Sequence, residues 1–150
     1  MNTMISHVLF VTLLAIHVCT CTTPHSDCAN LPTFSSVSIG DCTEQPCILK
    51  SGTTVKFDLG ILVHGYTTSM KVKIVAYAMG ATVSYPLQND DVCSNLTDAE
   101  CPLDDGELVN YELLFPILES FPAVPCIVTV TVTSDQGIQG CMTVSLQVVK

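Results

Sequence analysis

Cysteine is the residue type in this sequence with the clearest potential for chemistry. Of nine cysteines in 150 residues, seven lie beyond residue 21, namely Cys28, Cys42, Cys47, Cys93, Cys101, Cys126 and Cys141. In an oxidising compartment this number predicts three disulfides and one free thiol. Spacing leaves the connectivity open, although Cys42/Cys47 and Cys93/Cys101 look like bridges across short loops, which would leave Cys28 to reach Cys141. Cys126, among alternating valines, would then be the free, buried thiol.

Residues suited to acid–base catalysis or metal binding are few and poorly spaced. Beyond residue 21 the histidines are His25 and His64, and neither has a partner at triad or metal-ligand spacing. Seven of the fourteen acidic residues lie between positions 90 and 107, without the spacing and glycine of an EF-hand loop. This pattern is more typical of a solvated acidic loop than of a calcium site. The sequence therefore predicts no enzyme, no metal site and no cofactor.

One modification motif stands in the acidic loop. Asn95-Leu96-Thr97 matches the acceptor pattern for N-glycosylation. Such tripeptides arise often by chance, but this one lies in a polar loop of a chain that also carries a predicted secretion signal. We therefore expect Asn95 to be glycosylated.

The overall charge narrows the classes of partner. The chain has a formal net charge of −9, with five basic residues, all lysine. Binding to nucleic acid or to an anionic membrane surface depends on clustered lysine and arginine, so the composition disfavours both. At this length the chain can form one domain with a substantial core.

The first 21 residues read as a targeting segment. They contain no charged side chain, and the run from Val8 to Val18 is apolar but too short to span a bilayer. Cys19 and Cys21 are small residues at the positions expected before a cleavage site. We therefore predict a signal peptide at 1–21, a mature domain at 22–150, and a secreted protein, either extracellular or in the endosomal–lysosomal lumen.

The remaining sequence alternates between apolar and polar residues with the period of β-strands. This pattern predicts about seven strands, at 34–39, 53–63, 70–78, 81–85, 109–115, 126–133 and 142–148. The stretch Ser134-Asp135-Gln136-Gly137 predicts a hairpin turn between the last two strands. No segment has a helical period. Many short strands separated by turn signals predict an all-β sandwich.

The segment 116–125 bears on whether the sandwich has a closed core or an opening to a cavity. Pro116, Pro122 and Pro125 exclude a helix or a central strand, so Ile117, Leu118 and Phe121 are apolar side chains held on a loop. Such a loop either closes the core or guards an opening into it. The inner faces of the strands carry the same ambiguity, because aliphatic side chains fill a solid core and line an apolar cavity equally well.

A set of short motifs resembles a known family. The matching pieces are DCAN at 27–30, the turn around Cys47, Met79-Gly80, Tyr85-Pro86, C-x7-C-P at 93–102, Phe121-Pro122 and DQGIQGC at 135–141. Together they resemble the ML lipid-recognition domain, and most closely its Niemann-Pick type C sterol-binding proteins and mite group 2 allergens. The resemblance covers the chain from about residue 27 to residue 150.

The resemblance implies an immunoglobulin-like β-sandwich whose two sheets part to hold a lipid. It also implies the disulfides Cys28–Cys141, Cys42–Cys47 and Cys93–Cys101. In sterol-binding members the tunnel mouth is framed by three residues, which correspond here to Tyr85, Ile117 and Phe121, with Pro116 beside them. The chain departs from the family at Cys126 and Val130, which replace the bulkier leucine and tryptophan, and at Tyr85, where phenylalanine is common.

We therefore predict a non-enzymatic, monomeric carrier of one sterol, fatty acid or similar lipid. The alternative is a recognition cofactor that presents a bound lipid to a receptor, and either role admits a membrane protein or receptor as the partner for transfer. Besides the mouth residues, the lipid-binding wall is predicted to comprise Phe57, Leu59, Val72, Ile74, Ala78, Val83, Leu113, Cys126, Val128, Val130, Met142 and Val144.

Overall fold

The structure is a computed structural model that describes residues 22–150. The predicted signal peptide at 1–21 lies outside the described residues. Within 22–150 the only helical element is a three-residue 3-10 turn, Cys93–Asn95, and no helix is long and apolar enough to cross a membrane.

Within residues 22–150, nine strands form two sheets packed face to face. In chain order they are β1 (Ser26–Asp27), β2 (Ser36–Ile39), β3 (Cys47–Lys50), β4 (Thr54–Leu62), β5 (Met70–Ala78), β6 (Ala81–Tyr85), β7 (Leu108–Pro116), β8 (Pro125–Ser134) and β9 (Gly137–Val149). The larger sheet has the order β1-β9-β8-β5-β6, with β3 parallel to β9; the smaller has the order β2-β4-β7. The all-β, immunoglobulin-like sandwich predicted from the sequence is confirmed.

Alternation of apolar residues accounts for the long strands. In β7, Val109, Tyr111, Leu113 and Phe115 are buried while the residues between them face outward. The count of about seven strands was low because β1 and β3 have only two and four residues. Elements this short depend on pairing with β9 and carry too little sequence for a periodic signal.

The sheets differ in size, and this leaves one side of the sandwich without a continuous ladder. β6 ends the larger sheet and β7 ends the smaller one, and the two strands do not pair with each other. All five residues of β6 are at least partly exposed. An interior space along this side is therefore bordered by an edge strand and by loops, which move more easily than strands paired on both sides.

In the described part of the chain three disulfides join Cys28 to Cys141, Cys42 to Cys47, and Cys93 to Cys101. The pairing implied by the resemblance is therefore confirmed. Cys126 is the free cysteine among residues 22–150. The first bridge spans 113 positions, and closing a loop of that length contributes about 5 kcal/mol in the chain-entropy model.

Candidate functional site

An apolar cavity of about 200 Å³ lies between the sheets at one end of the sandwich. Most of its wall is the inner face of the larger sheet, and Phe115 of β7 and the loop at 117–124 cover it from the other side. All surface facing the cavity is apolar. The lining residues are Leu49, Ile74, Ala76, Ala78, Val83, Tyr85, Phe115, Ile117, Phe121, Pro122, Val124, Cys126, Val128, Leu146 and Val148.

The position of the cavity follows from side-chain size along β5. The inward residues of this strand are Met70, Val72 and Ile74, which are buried, followed by Ala76 and Ala78, which are only half-buried. Alanine is too short to reach the opposite sheet. The space between the sheets is therefore filled where β5 begins and left open where it ends.

An aromatic cluster borders the cavity beside β6. The ring of Tyr85 lies edge-on to Phe115 at a centroid distance of 4.7 Å and to Phe121 at 5.8 Å. Phe57 extends the cluster behind Phe115, at 5.9 Å. Such edge-to-face contacts add a modest stabilisation to that gained by burying each ring. The cluster can therefore keep its geometry without a polar partner inside the cavity.

The segment 117–124, here called the mouth loop, is anchored to the C-terminal strand. The Lys150 ammonium donates hydrogen bonds to the carbonyl oxygens of Glu119 and Phe121, at 2.6 and 2.9 Å. A turn within the loop is closed by the amide of Phe121 on the carbonyl of Leu118. Ile117 is only 2% exposed, so the loop enters the cavity wall at its first residue and rises to the surface after it.

The cavity reaches solvent between β6 and the mouth loop. Val83 of β6 lines the cavity although 60% of the residue is exposed, and Pro122 of the mouth loop lines it and is exposed as well. A residue that both lines the cavity and faces water marks its opening. The mouth is thus formed by the end of the larger sheet on one side and by a proline-containing loop on the other.

Cys126 places a thiol in this wall. It is half-buried and lies opposite Leu146 in the β8–β9 ladder. Burial raises the pKa of the Cys126 thiol because the apolar wall disfavours the thiolate. At neutral pH the thiol is therefore uncharged and adds no charge to the cavity.

The structure brings together eight of the sixteen predicted lipid-binding residues. Ile74, Ala78, Val83, Tyr85, Ile117, Phe121, Cys126 and Val128 line the cavity. Seven others lie outside its wall and are buried in the packed core, namely Phe57, Leu59, Val72, Leu113, Val130, Met142 and Val144. The eighth, Pro116, is exposed at the end of β7. The seven buried residues do not line the cavity because their side chains fill the space between the sheets; Pro116 does not because it lies on the surface.

Seven lining residues were missed by the sequence analysis, namely Leu49, Ala76, Phe115, Pro122, Val124, Leu146 and Val148. Counting back from the β8–β9 hairpin would have placed Ser145 opposite Cys126, but the observed partner is Leu146. The difference arises because the register shifts by one residue between Val132 and Thr133. The alanine pair on the inner face of β5 was an available signal. Leu49 had no local signal, because it reaches the cavity only through the pairing of β3 with β9.

Polar chemistry lies elsewhere on the molecule. In residues 22–150, no three histidine, cysteine or acidic side chains come together as metal ligands. The His25 ring lies 3.7 Å from the Asp27 carboxylate near the start of the domain, and neither residue lines the cavity. The apolar wall of the cavity suits an apolar molecule.

The sequence and the fold both match known proteins. A profile of the ML domain matches residues 16–148. NPC intracellular cholesterol transporter 2 homolog a of Drosophila melanogaster is 31% identical over 115 residues, which cover 75% of this chain and 77% of that protein. NPC intracellular cholesterol transporter 2 of Bos taurus is 23% identical over 112 residues, which cover 74% of each chain.

Among solved structures, a Niemann-Pick type C2 protein from Japanese carpenter ant superposes with a TM-score of 0.73 at 16% identity. The superposition covers 84% of this chain and 99% of that one. The fold is therefore shared over nearly the whole described domain, and the profile match extends over most of the sequence. This chain belongs to the ML domain family.

Proposed function

We propose that this protein is a secreted, non-enzymatic carrier that holds one sterol, fatty acid or similar lipid between its two sheets. The observation that supports this most directly is the cavity itself, whose wall is wholly apolar and opens to solvent beside the mouth loop. Relatives named as cholesterol transporters make a sterol the first ligand to test. Three disulfides fit a protein made in the secretory pathway.

Removal of apolar surface from water would drive binding. At about 25 cal/mol for each Å², burying roughly 300 Å² of lipid surface contributes about 7.5 kcal/mol before the costs of association are subtracted. Among the described residues, the only hydrogen-bond donor that the wall offers to a deeply placed polar group is the Cys126 thiol, which is a weak one. The apolar end of the lipid therefore enters first, and its polar group remains at the mouth between Val83 and Pro122.

The cavity must enlarge to take such a ligand. Its volume of about 200 Å³ is below the range of roughly 300–1,000 Å³ that is usual for ligand pockets. The parts of the wall that can yield are β6, which is paired on one side only, and the mouth loop. The disulfides lie away from these two elements, so outward movement there breaks no covalent link.

Lipid extraction is the direct test. The protein is secreted from eukaryotic cells and purified without detergent, and its bound lipids are identified by native mass spectrometry and extraction. The protein is then stripped of lipid and titrated with a fluorescent sterol and a fluorescent fatty acid. We expect saturable binding of one molecule per chain for at least one of them.

Cys126 reports where the ligand binds. A small thiol reagent should modify it slowly in the lipid-free protein, because burial keeps the thiol protonated, and at least tenfold more slowly once the cavity is filled. A Cys126→Ser variant, which should bind lipid but not react, controls for other sites. Failure of both lipids to bind, or binding that leaves the reactivity of Cys126 unchanged, would contradict the proposal.

A further inference from the structure

A second concave surface lies outside the cavity, along the edge of β7 that faces away from β4, where Leu96 pairs with Tyr111 and the Thr97 amide donates to the Asn110 carbonyl. This surface, here called the lateral groove, has a volume of about 810 Å³. Leu87 and Leu96 are partly buried along it, while Leu114 and Leu118 are exposed at 59% and 43%. Exposed leucines that form a contiguous apolar patch are unusual on a protein surface unless another molecule or group covers them. Polar groups, among them Glu112, lie between the leucines.

The glycosylation acceptor is part of the wall of this groove. Asn95 ends the short 3-10 turn and is partly exposed, and Leu96 after it is extended, with φ −72° and ψ 139°. The Asn95 amide nitrogen donates to the Asp91 carbonyl at 3.1 Å and to the Ser94 hydroxyl at 3.2 Å. Both hydrogen bonds are exposed to solvent, so attaching a sugar in place of one amide hydrogen of Asn95 costs little stability. The acceptor side chain is thus available at one end of an uncovered apolar surface.

We propose that Asn95 carries an N-linked glycan and that its first sugars occupy the lateral groove. An N-acetylglucosamine ring has an apolar face and an acetamide methyl group, which suit Leu114 and Leu118. Its hydroxyl and amide groups suit the polar side chains of the groove, among them Gln88, Asn89, Thr97 and Glu112. The attachment point fixes this occupant, because a sugar bonded to Asn95 begins at the wall of the groove.

The modification depends on passage of the chain through the secretory lumen, and it requires a polyprenyl-diphosphate-linked oligosaccharide as donor. The Asn95 amide nitrogen forms a bond to the anomeric carbon of the first sugar and loses one proton. The bond between that carbon and the diphosphate oxygen breaks, and the polyprenyl diphosphate leaves with the electron pair. No oxidant or reductant takes part.

The glycan would cover apolar surface close to the mouth of the cavity. Tyr85 lines both the cavity and the lateral groove, and Leu118 belongs to the mouth loop. Sugars packed on Leu114 and Leu118 would keep these leucines from contacting other proteins while leaving the mouth at Val83 and Pro122 open. The inference does not depend on which lipid the cavity holds, or on whether it holds one.

The first measurement is occupancy of Asn95. Peptide mass spectrometry of protein secreted from eukaryotic cells should find a glycan at Asn95 in the wild type and in Thr97→Ser, which preserves the acceptor pattern. Thr97→Ala and Asn95→Gln should lack it. An unmodified Asn95 in the secreted wild-type protein overturns the proposal.

The second measurement locates the sugars. Hydroxyl-radical footprinting should label Leu114 at least threefold less in the glycosylated protein than in Thr97→Ala. Leu108 is the matched control, since it lies on the same face of the same strand, is also 59% exposed, and is outside the groove. Its labelling should not change.

Enzymatic removal of the glycan from the folded wild type repeats the comparison without a mutation, in case a variant fails to fold. Labelling of Leu114 that is equal with and without the glycan overturns the proposal. Equally strong protection of Leu114 in both forms does so too, because it would mean that a second copy of the chain or another molecule fills the groove.

Discussion

Phe121 is the side chain on which access to the cavity most depends. It lines the cavity from the mouth loop, touches Tyr85, and is outside both sheet ladders. Replacing it can therefore alter the mouth while the hydrogen bonds of the fold stay in place. Ile117 also enters the wall, but it is fully buried, so a polar replacement there would affect folding and binding together.

We predict that Phe121→Asp weakens uptake of a fluorescent sterol at least tenfold, because a carboxylate at the mouth must lose water as the lipid passes. The melting temperature should fall by no more than a few degrees. Ile127→Asp is the matched control, since Ile127 is 50% exposed and lies outside the cavity wall. Sterol uptake by Phe121→Asp that equals uptake by the control would show that the mouth is elsewhere.

Residue types alone revealed part of the site. The alternation of Cys126 with Val128 and Val130 correctly placed its thiol on the inner face, and the assignment of Tyr85, Ile117 and Phe121 came from the family resemblance. What the sequence did not reveal was which inward residues face empty space. Val130 and Val128 are alike in sequence, yet only Val128 lines the cavity. Whether an inward residue lines a cavity depends on the size of the side chains that face it from the other sheet. These residues are distant in sequence, so the local pattern of a strand does not predict them.

At the scale of single elements, β5 decides where the sandwich is hollow. Its inner face changes from large residues to alanine at Ala76, which pairs with Val128 on one side and Val83 on the other. The strand itself was evident from its alternation, and its bounds at Met70 and Ala78 match the predicted ones. The short strands β1 and β3 were missed because their partner, β9, is distant in sequence.

A larger side chain on the inner face of β5 should fill the cavity and so affect lipid binding without affecting folding. We predict that Ala76→Phe abolishes lipid uptake, because the ring occupies the space that the lipid would take, while the melting temperature stays level or rises. Val75→Phe, one residue away and on the opposite face, should bind lipid like the wild type. Binding is measured by titration with a fluorescent sterol and stability by calorimetry. Normal lipid uptake by Ala76→Phe would exclude this cavity as the binding site.

For the whole molecule, the unequal sheets explain how one chain can be both rigid and open. Cys28–Cys141 fixes the beginning of the domain to β9, and the smaller sheet covers the larger one, with Phe115 of β7 reaching the cavity. The open half is bordered by β6 and the mouth loop. The sequence pattern predicted the sandwich and the family resemblance implied the disulfide pairing, but the position of the cavity arises from packing over the entire domain.

This division predicts where a bound lipid stabilises the protein. At a free lipid concentration 100 times the dissociation constant, binding contributes about 2.7 kcal/mol, which should raise the melting temperature by about 10 °C. Amide hydrogen exchange should slow most in β6 and the mouth loop, because the lipid fills the space that these elements border. In Ala76→Phe the same lipid should change neither quantity. If exchange slows instead in β2 and β4, whose residues do not line the cavity, the lipid binds outside the cavity.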